Sequence, residues 1–168
     1  MPNRVQLVPV TNATQVADIA RMAREVWNEY YVPLIGQAQV DYMVAKFQSA
    51  EAMQSQIDSG YEYFHIQQSG GNVGYTAIRH DSADARVFIS KLYLLAAYRR
   101  SGAGRQILAL VECMARERGA TRLWLTVNKG NPSVQAYERL GFRIVEALVM
   151  DIGHGYVMDD YKMEKAVE

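Results

Sequence analysis

The chain predicts a mixed α/β (α+β) domain, with a sheet of about seven strands and helices packed on it. Three observations carry that class. Short alternating or wholly apolar runs recur between clusters of Gly, Asn, Ser and Pro, as strands do. Other stretches repeat their apolar residues every three to four positions, as helices do. And one apolar run reaching Tyr98 passes through Arg99-Arg100-Ser101-Gly102-Ala103-Gly104 directly into a helical pattern.

The elements follow in order. Val5 to Val10 is a strand. Thr11 to Tyr30 is an amphipathic helix with Val16, Ile19, Ala20, Ala23 and Trp27 on one face. Tyr31 to Gly36 is a loop. Gln39 to Phe47 and Ala50 to Ile57 make one broken helix or two short ones. Tyr61 to Gln67 is a strand, Ser69-Gly70-Gly71-Asn72 a hairpin turn, and Val73 to His80 the returning strand. Arg86 to Leu94 is the central strand. Beyond the glycine loop, Ile107, Leu108, Val111, Met114 and Ala115 share a helix face. Leu123 to Val127 is a short strand. In the turn Asn128-Lys129-Gly130-Asn131-Pro132, Asn131 suits an N-cap and Pro132 the first helical position. The short helix after it carries Val134, Tyr137 and Leu140 and stops at Gly141. Phe142 to Met150 and Tyr156 to Glu164 are the last strands. The order is β-α-α-β-β-β-α-β-α-β-β.

Length and composition bound the rest. A chain of 168 residues suits a single domain over 1–168. A formal net charge of zero gives no hint of nucleic acid or of a membrane surface. The one cysteine, Cys113, rules out an internal disulfide framework and a cysteine metal cluster, and reads as a partly buried bystander on its helix. There is no run of transmembrane length and no signal-peptide pattern, since Met1-Pro2-Asn3-Arg4 leads straight into the first strand. A cytoplasmic location is the simplest expectation.

The glycine loop is the most informative segment. A helix N-terminus offers unpaired backbone N–H groups and the positive end of its dipole. Glycines let an anion come close to that backbone, and Arg99, Arg100 and Arg105 add positive charge. The loop suits a phosphate; a tight strand-to-helix turn without ligand is the plainer alternative. It is neither a Walker loop nor a G-x-G-x-x-G fingerprint, because Ile107 stands where the third glycine would be. It does fit R-x-x-G-x-G through Arg99, Gly102 and Gly104. That string resembles the pyrophosphate signature of the GNAT-type N-acetyltransferases. Downstream, NPSVQAYERLGF resembles the same family's second signature, an Asn, a helix with a Tyr, and a closing Gly-Phe. One spacing departs: the family's Asn precedes the Tyr by seven residues, where this chain has Gly130, and Asn131 lies six before Tyr137. Asn128 is the alternative to Asn131. The element order agrees with the family, so the resemblance covers nearly the whole chain.

The resemblance implies a GNAT fold, with a central mixed, mostly antiparallel sheet. It also implies acetyl-CoA as co-substrate, without a metal, and transfer of the acetyl group to a primary amine by direct attack in a ternary complex. Leu92, Tyr93 and Leu94 would pair with the pantetheine arm, and a backbone N–H near Leu94 would serve the oxyanion. Arg99, Arg100, Ser101, Gly102, Ala103, Gly104 and Arg105 would hold the pyrophosphate, with Asn131 a further contact. Tyr137 would protonate the leaving thiolate; from periodicity alone it reads equally as a core aromatic.

The acceptor amine needs a base, and Glu29, Glu62, His65, His154 or water are open candidates. Asp159 and Asp160 fall in GYVMDDYKMEK, a string similar to the family's closing strand. They would attract a cationic substrate or, more simply, face solvent or brace the strand. The acceptor is a small-molecule or peptide amine of unspecified identity, and a homodimer is left open. Alternatives on the same fold are a non-catalytic acyl-CoA sensor and an O-acyl or longer-acyl transferase.

Overall fold

The computed structural model describes residues 4–168; Met1, Pro2 and Asn3, and with them the predicted lead into the first strand, lie outside the described residues. Seven strands hydrogen-bond in the order β1-β2-β3-β4-β5-β7-β6. They are β1 (Val5–Pro9), β2 (Glu62–Gln68), β3 (Gly71–Asp81), β4 (Arg86–Leu94), β5 (Arg122–Asn128), β6 (Arg143–Gly153) and β7 (Tyr156–Ala166). The helices are α1 (Ala13–Tyr30), α2 (Val32–Ile35), α3 (Gln37–Phe47), α4 (Ala50–Asp58), α5 (Ala103–Glu117) and α6 (Ser133–Arg139). The sheet is mixed and mostly antiparallel, as expected, and its parallel pair is β4 with β5. The chain divides into two compact units, residues 1–79 with 91–111, and residues 80–90 with 112–168.

In the first unit, β1 pairs with β2 and β2 with β3, both antiparallel. α1 starts at a capping box: Asn12 Oδ1 accepts from Gln15 N–H at 2.9 Å, and Gln15 Oε1 accepts from Asn12 N–H at 3.2 Å. Its buried stripe is Val16, Ile19, Ala23, Val26 and Trp27. Val16, Ile19 and Ala23 pack with Met53, Tyr63, Tyr75 and Ala77 into a core cluster. Burial of such apolar surface is the main stabilising term, about 25 cal/mol per Å². The segment expected as a loop after α1 contains a helical turn, α2, which Gly36 ends at φ +86°. Four residues are too few to show a 3.6-residue period, so the pattern could not reveal it. The expected broken helix is two helices, because Ser49 Oγ accepts from Ala52 N–H and starts α4 afresh. Gly74 is required by packing. A Cβ there would lie 2.2 Å from the Tyr93 carbonyl oxygen, so only glycine lets β3 pass β4 this closely.

In the second unit, β5 and β7 pair antiparallel from Arg122–Ala166 to Asn128–Asp160, and β6 pairs with β7 beyond. β6 runs three residues past the predicted end, to Gly153. Cys113 is exposed rather than partly buried. It lies off the helix face that buries Val111 and Ala115. No described helix is long and apolar enough to cross a membrane.

Candidate functional site

The first unit holds the strand-loop-helix segment. The parallel ladder of β4 with β5 runs from Arg86–Arg122 to Phe88–Trp124 and stops there, although β4 itself continues to Leu94. Leu92, Tyr93 and Leu94 are half-buried at that far end. Leu95 N–H then donates to the Val73 carbonyl, and Ala96–Tyr98 form a 3-10 turn. Arg100 (φ +61°) and Gly102 (φ +83°) take left-handed backbone angles and turn the chain into α5. Glycine adopts this conformation freely, whereas an arginine is strained by roughly 1–2 kcal/mol. Arg100, Ser101, Gly102 and Arg105 are exposed around the helix start. Ala103, Gly104 and Arg105 open α5, so their N–H groups belong to the first turn, which has no intrahelical acceptor.

The two signature glycines differ in what requires them. Gly102 answers to its positive φ. Gly104 has no such φ, and a Cβ placed on it would meet nothing within 4 Å. Glycine inside a helix costs about 1 kcal/mol relative to alanine. Neither backbone nor packing asks for it, whereas close approach of a ligand would.

Arg99 differs from the sequence expectation. Its guanidinium makes a two-pronged pair with Glu29 at 2.8 and 3.2 Å, donates through Nε to the Leu94 carbonyl at 3.0 Å, and lies over the Tyr30 ring. It therefore ties the end of β4 to the end of α1, and its charge is matched by a carboxylate. Glu29, a base candidate, is correspondingly an ion-pair partner. The exposed cations of the loop are Arg100 and Arg105.

The other base candidates are dispersed. His65 is 3% exposed, and its Nδ1 finds no hydrogen-bond partner among the described residues. Burial holds its pKa below the usual histidine value, against the pull of Asp18 and the Gln15 backbone. Glu62 is half-buried on β2, and His154 is exposed in the β6–β7 turn at φ +52°.

The second unit holds the second signature. Asn131 Oδ1 accepts from Ser133 N–H at 2.7 Å, but the cap of α6 falls on Pro132, one residue later than expected, so Asn131 shapes the turn that leads into the helix. Asn128 Oδ1 accepts from Gly130 N–H and shapes the turn before it. Tyr137 is half-buried on α6, edge-to-face with Phe142 at 5.6 Å, and its carbonyl receives the Leu140 and Phe142 N–H groups.

Two titratable groups stand out that sequence reasoning did not single out for burial. Asp160 is buried on β7, while its neighbour Asp159 is exposed and paired with Lys129. Burial first, then Asp159, push the Asp160 carboxyl up to about 6. Successive strand residues face opposite sides, so only one of the pair can point inward. Lys91 is buried on β4, donating to the Phe47 carbonyl at 2.6 Å, to Gln56 Oε1 at 2.8 Å and to the Tyr63 hydroxyl. The signal was a lone lysine inside the run VFISKLYLL. Among the described residues no cluster of three or more His, Cys, Asp or Glu side chains is placed to hold a metal ion.

Comparison with known proteins adds the following. Residues 31–165 match the family described as "Acetyltransferase (GNAT) domain". The chain is 33% identical over 124 residues to an uncharacterized N-acetyltransferase of Mycobacterium tuberculosis, covering 73% of this chain and 78% of that protein. It is 35% identical over 78 residues to the streptothricin acetyltransferase of Streptomyces lavendulae. That match takes in 46% of this chain and spans only 41% of the Streptomyces protein's length. In fold it resembles the PaiA N-acetyltransferase of Thermoplasma acidophilum, solved with coenzyme A, at a TM-score of 0.77 and 17% identity over 96% of this chain and 98% of that one.

Proposed function

Because this chain belongs to the GNAT acetyltransferase family, we propose that it transfers the acetyl group of acetyl-CoA to a primary amine. The observation that carries the reading is Gly104, a glycine that neither φ nor packing requires, in the first turn of α5. The pyrophosphate would sit on the N–H groups of Gly102 to Arg105, with Arg100 and Arg105 as exposed counter-charges. The β4–β5 ladder ends while β4 runs on, which supports pairing of an extended pantetheine arm with Leu92, Tyr93 and Leu94. Arg99 then serves by fixing the end of β4 on α1 rather than by meeting phosphate.

The chemistry needs no covalent enzyme intermediate. The amine nitrogen attacks the thioester carbonyl, and a backbone N–H near Leu94 stabilises the oxyanion. As the tetrahedral species collapses, the carbon–sulfur bond breaks, the thiolate takes the proton of the Tyr137 hydroxyl, and the second proton shed by the new amide nitrogen returns through water to the phenolate. An alkylamine has a pKa near 10.4 and must first lose a proton. In this reading water accepts it, because Glu29 is neutralised by Arg99 and His65 is buried. The protein works as a single catalytic domain without a metal, and its acceptor is a small or peptidic amine. The streptothricin-modifying relative makes a cationic amine antibiotic the first acceptor to try.

The test is release of free thiol from acetyl-CoA against a panel of a streptothricin, a polyamine, an amino acid and a lysine peptide. Acceptor-dependent thiol release with a matching acetylated product is expected. Tight acetyl-CoA binding with no release on any amine would turn the reading toward a sensor.

A further inference from the structure

Among the described residues, the buried lysines and carboxylates are Lys91, Glu112 and Asp160. A buried charge is costly unless another group matches it. Lys91 has its three oxygen acceptors. Glu112 takes Lys165 Nζ at 2.9 and 3.2 Å and the Glu168 N–H at 3.1 Å. Asp160 has nothing comparable. It is 5% exposed, and among the described residues no group donates a hydrogen bond to its carboxylate and no cation pairs with it. Lys129, the cation that acts on it, is bound to Asp159 at 2.6 Å.

Its placement is specific. β7 sets Asp160 opposite Asn128, the last residue of β5, and opposite Leu148 of β6. The turn that starts at Asn128 leads into α6 and Tyr137, so the carboxylate and the phenol belong to the two elements that adjoin the end of β5. The charged groups around Asp160 are Asp159 and Lys129, then Lys162 on its own side of β7, and Glu146 opposite Lys162 on β6. Lys162 Nζ lies over the Trp124 ring at 4.9 Å. With its carboxyl held near 6, Asp160 is ionised at neutral pH yet close to its own titration, as a general base should be. A buried, unmatched and shifted group costs stability and marks a functional position.

Resting on the acetyl-transfer reading, we propose that Asp160 is the proton acceptor behind the water: the acceptor ammonium passes one proton through water to the Asp160 carboxylate, and the neutral amine then attacks the thioester. Asp160 returns that proton to solvent before the next turnover. This matches the one net proton released when an ammonium becomes an amide and a thioester becomes a thiol.

The test is Asp160→Asn in the whole chain, with an alkylamine that supports thiol release. Such an amine, with a pKa near 10.4, is almost wholly protonated at neutral pH. Wild-type kcat/KM for the amine should rise through an inflection near pH 6 and then level off. Asp160→Asn should lower it at pH 7 by roughly 10²-fold or more. Its profile should keep climbing to pH 9 and beyond, because only amine already neutral in solution then reacts. Neighbouring charges give a graded check: Asp159→Asn should move the inflection to lower pH, and Lys129→Met to higher pH. Acetyl-CoA affinity should be little changed in Asp160→Asn. Its melting temperature at pH 7.5 should be no lower than that of the wild type, since a carboxylate without a partner has been removed. A profile parallel to the wild type, or a lowered melting temperature that marks Asp160 as a brace, would overturn the proposal and leave acetyl transfer standing. No amine-dependent thiol release from the wild type would overturn that reading and this proposal with it.

Discussion

Lys91 shows how much one residue can be asked to do. Its amine has three neutral oxygen acceptors around it, and burial pulls its pKa from 10.5 down to about 7. Between those values the unfolded chain holds a proton that the native chain has released. Stability on this account is therefore lowest below pH 7 and rises as pH climbs toward 10. The gain should be about 1–3 kcal/mol, allowing for hydrogen bonds that favour the ammonium. Urea unfolding at pH 7 and pH 9.5 should show that rise in the wild type and a flatter profile in Lys91→Met. Equal slopes would mean that the lysine stays protonated. Tyr137 carries the corresponding question for catalysis. Tyr137→Phe keeps the ring against Phe142 and removes only the hydroxyl proton. Turnover should fall by roughly 10²-fold or more, with coenzyme affinity little changed, since the proton matters as the thiolate leaves. Steady-state kinetics beside direct binding read both halves, and near-wild-type turnover would take Tyr137 out of the mechanism.

At the scale of an element, the start of α5 separates folding from binding. Gly102 is needed for its backbone angle, and Gly104 is not. Aspartate in a first helical turn meets the positive end of the dipole, so Gly104→Asp should leave the protein as stable as before, or slightly more so. The same carboxylate would occupy the ground assigned to the pyrophosphate. Thermal unfolding should be unchanged or raised, while acetyl-CoA affinity drops by at least about a hundredfold. Retained affinity would reduce the loop to a turn. The ties of Arg99 to Glu29 and Leu94 suggest why this arginine stands at the head of the string: it holds the strand end from which the loop departs.

For the molecule as a whole, a ligand that binds only the native state must raise its melting temperature. Acetyl-CoA at about a hundred times its dissociation constant adds about 2.7 kcal/mol, or roughly 5 °C or more for a chain of this size. ATP or NADH at the same concentration should shift it far less. A shift with those nucleotides and none with acetyl-CoA would count against the family's cofactor here. Both the strand-loop-helix join and the Asn-to-Gly-Phe helix were legible because each is local. A glycine pair, an Asn before a proline and a 3.6-residue stripe are written within a few neighbouring positions.

What the sequence determined by itself is the class, the order of the elements and the two signature segments, for periodicity and turn chemistry act over one to four residues. β4 came out as Arg86–Leu94, as predicted. Only the tertiary structure decided partners. It showed that Arg99 is matched by Glu29, 70 residues away, that Asp160 faces inward while Asp159 pairs with Lys129, and that Lys91 is surrounded by oxygen atoms from α3, α4 and β2. It also showed that β6 lies at an edge of the sheet, beside β7 alone. The physical reason is the same in each case. Charge pairing, burial and edge position depend on which distant segment lies alongside, and no pattern within a single strand or helix records that neighbour.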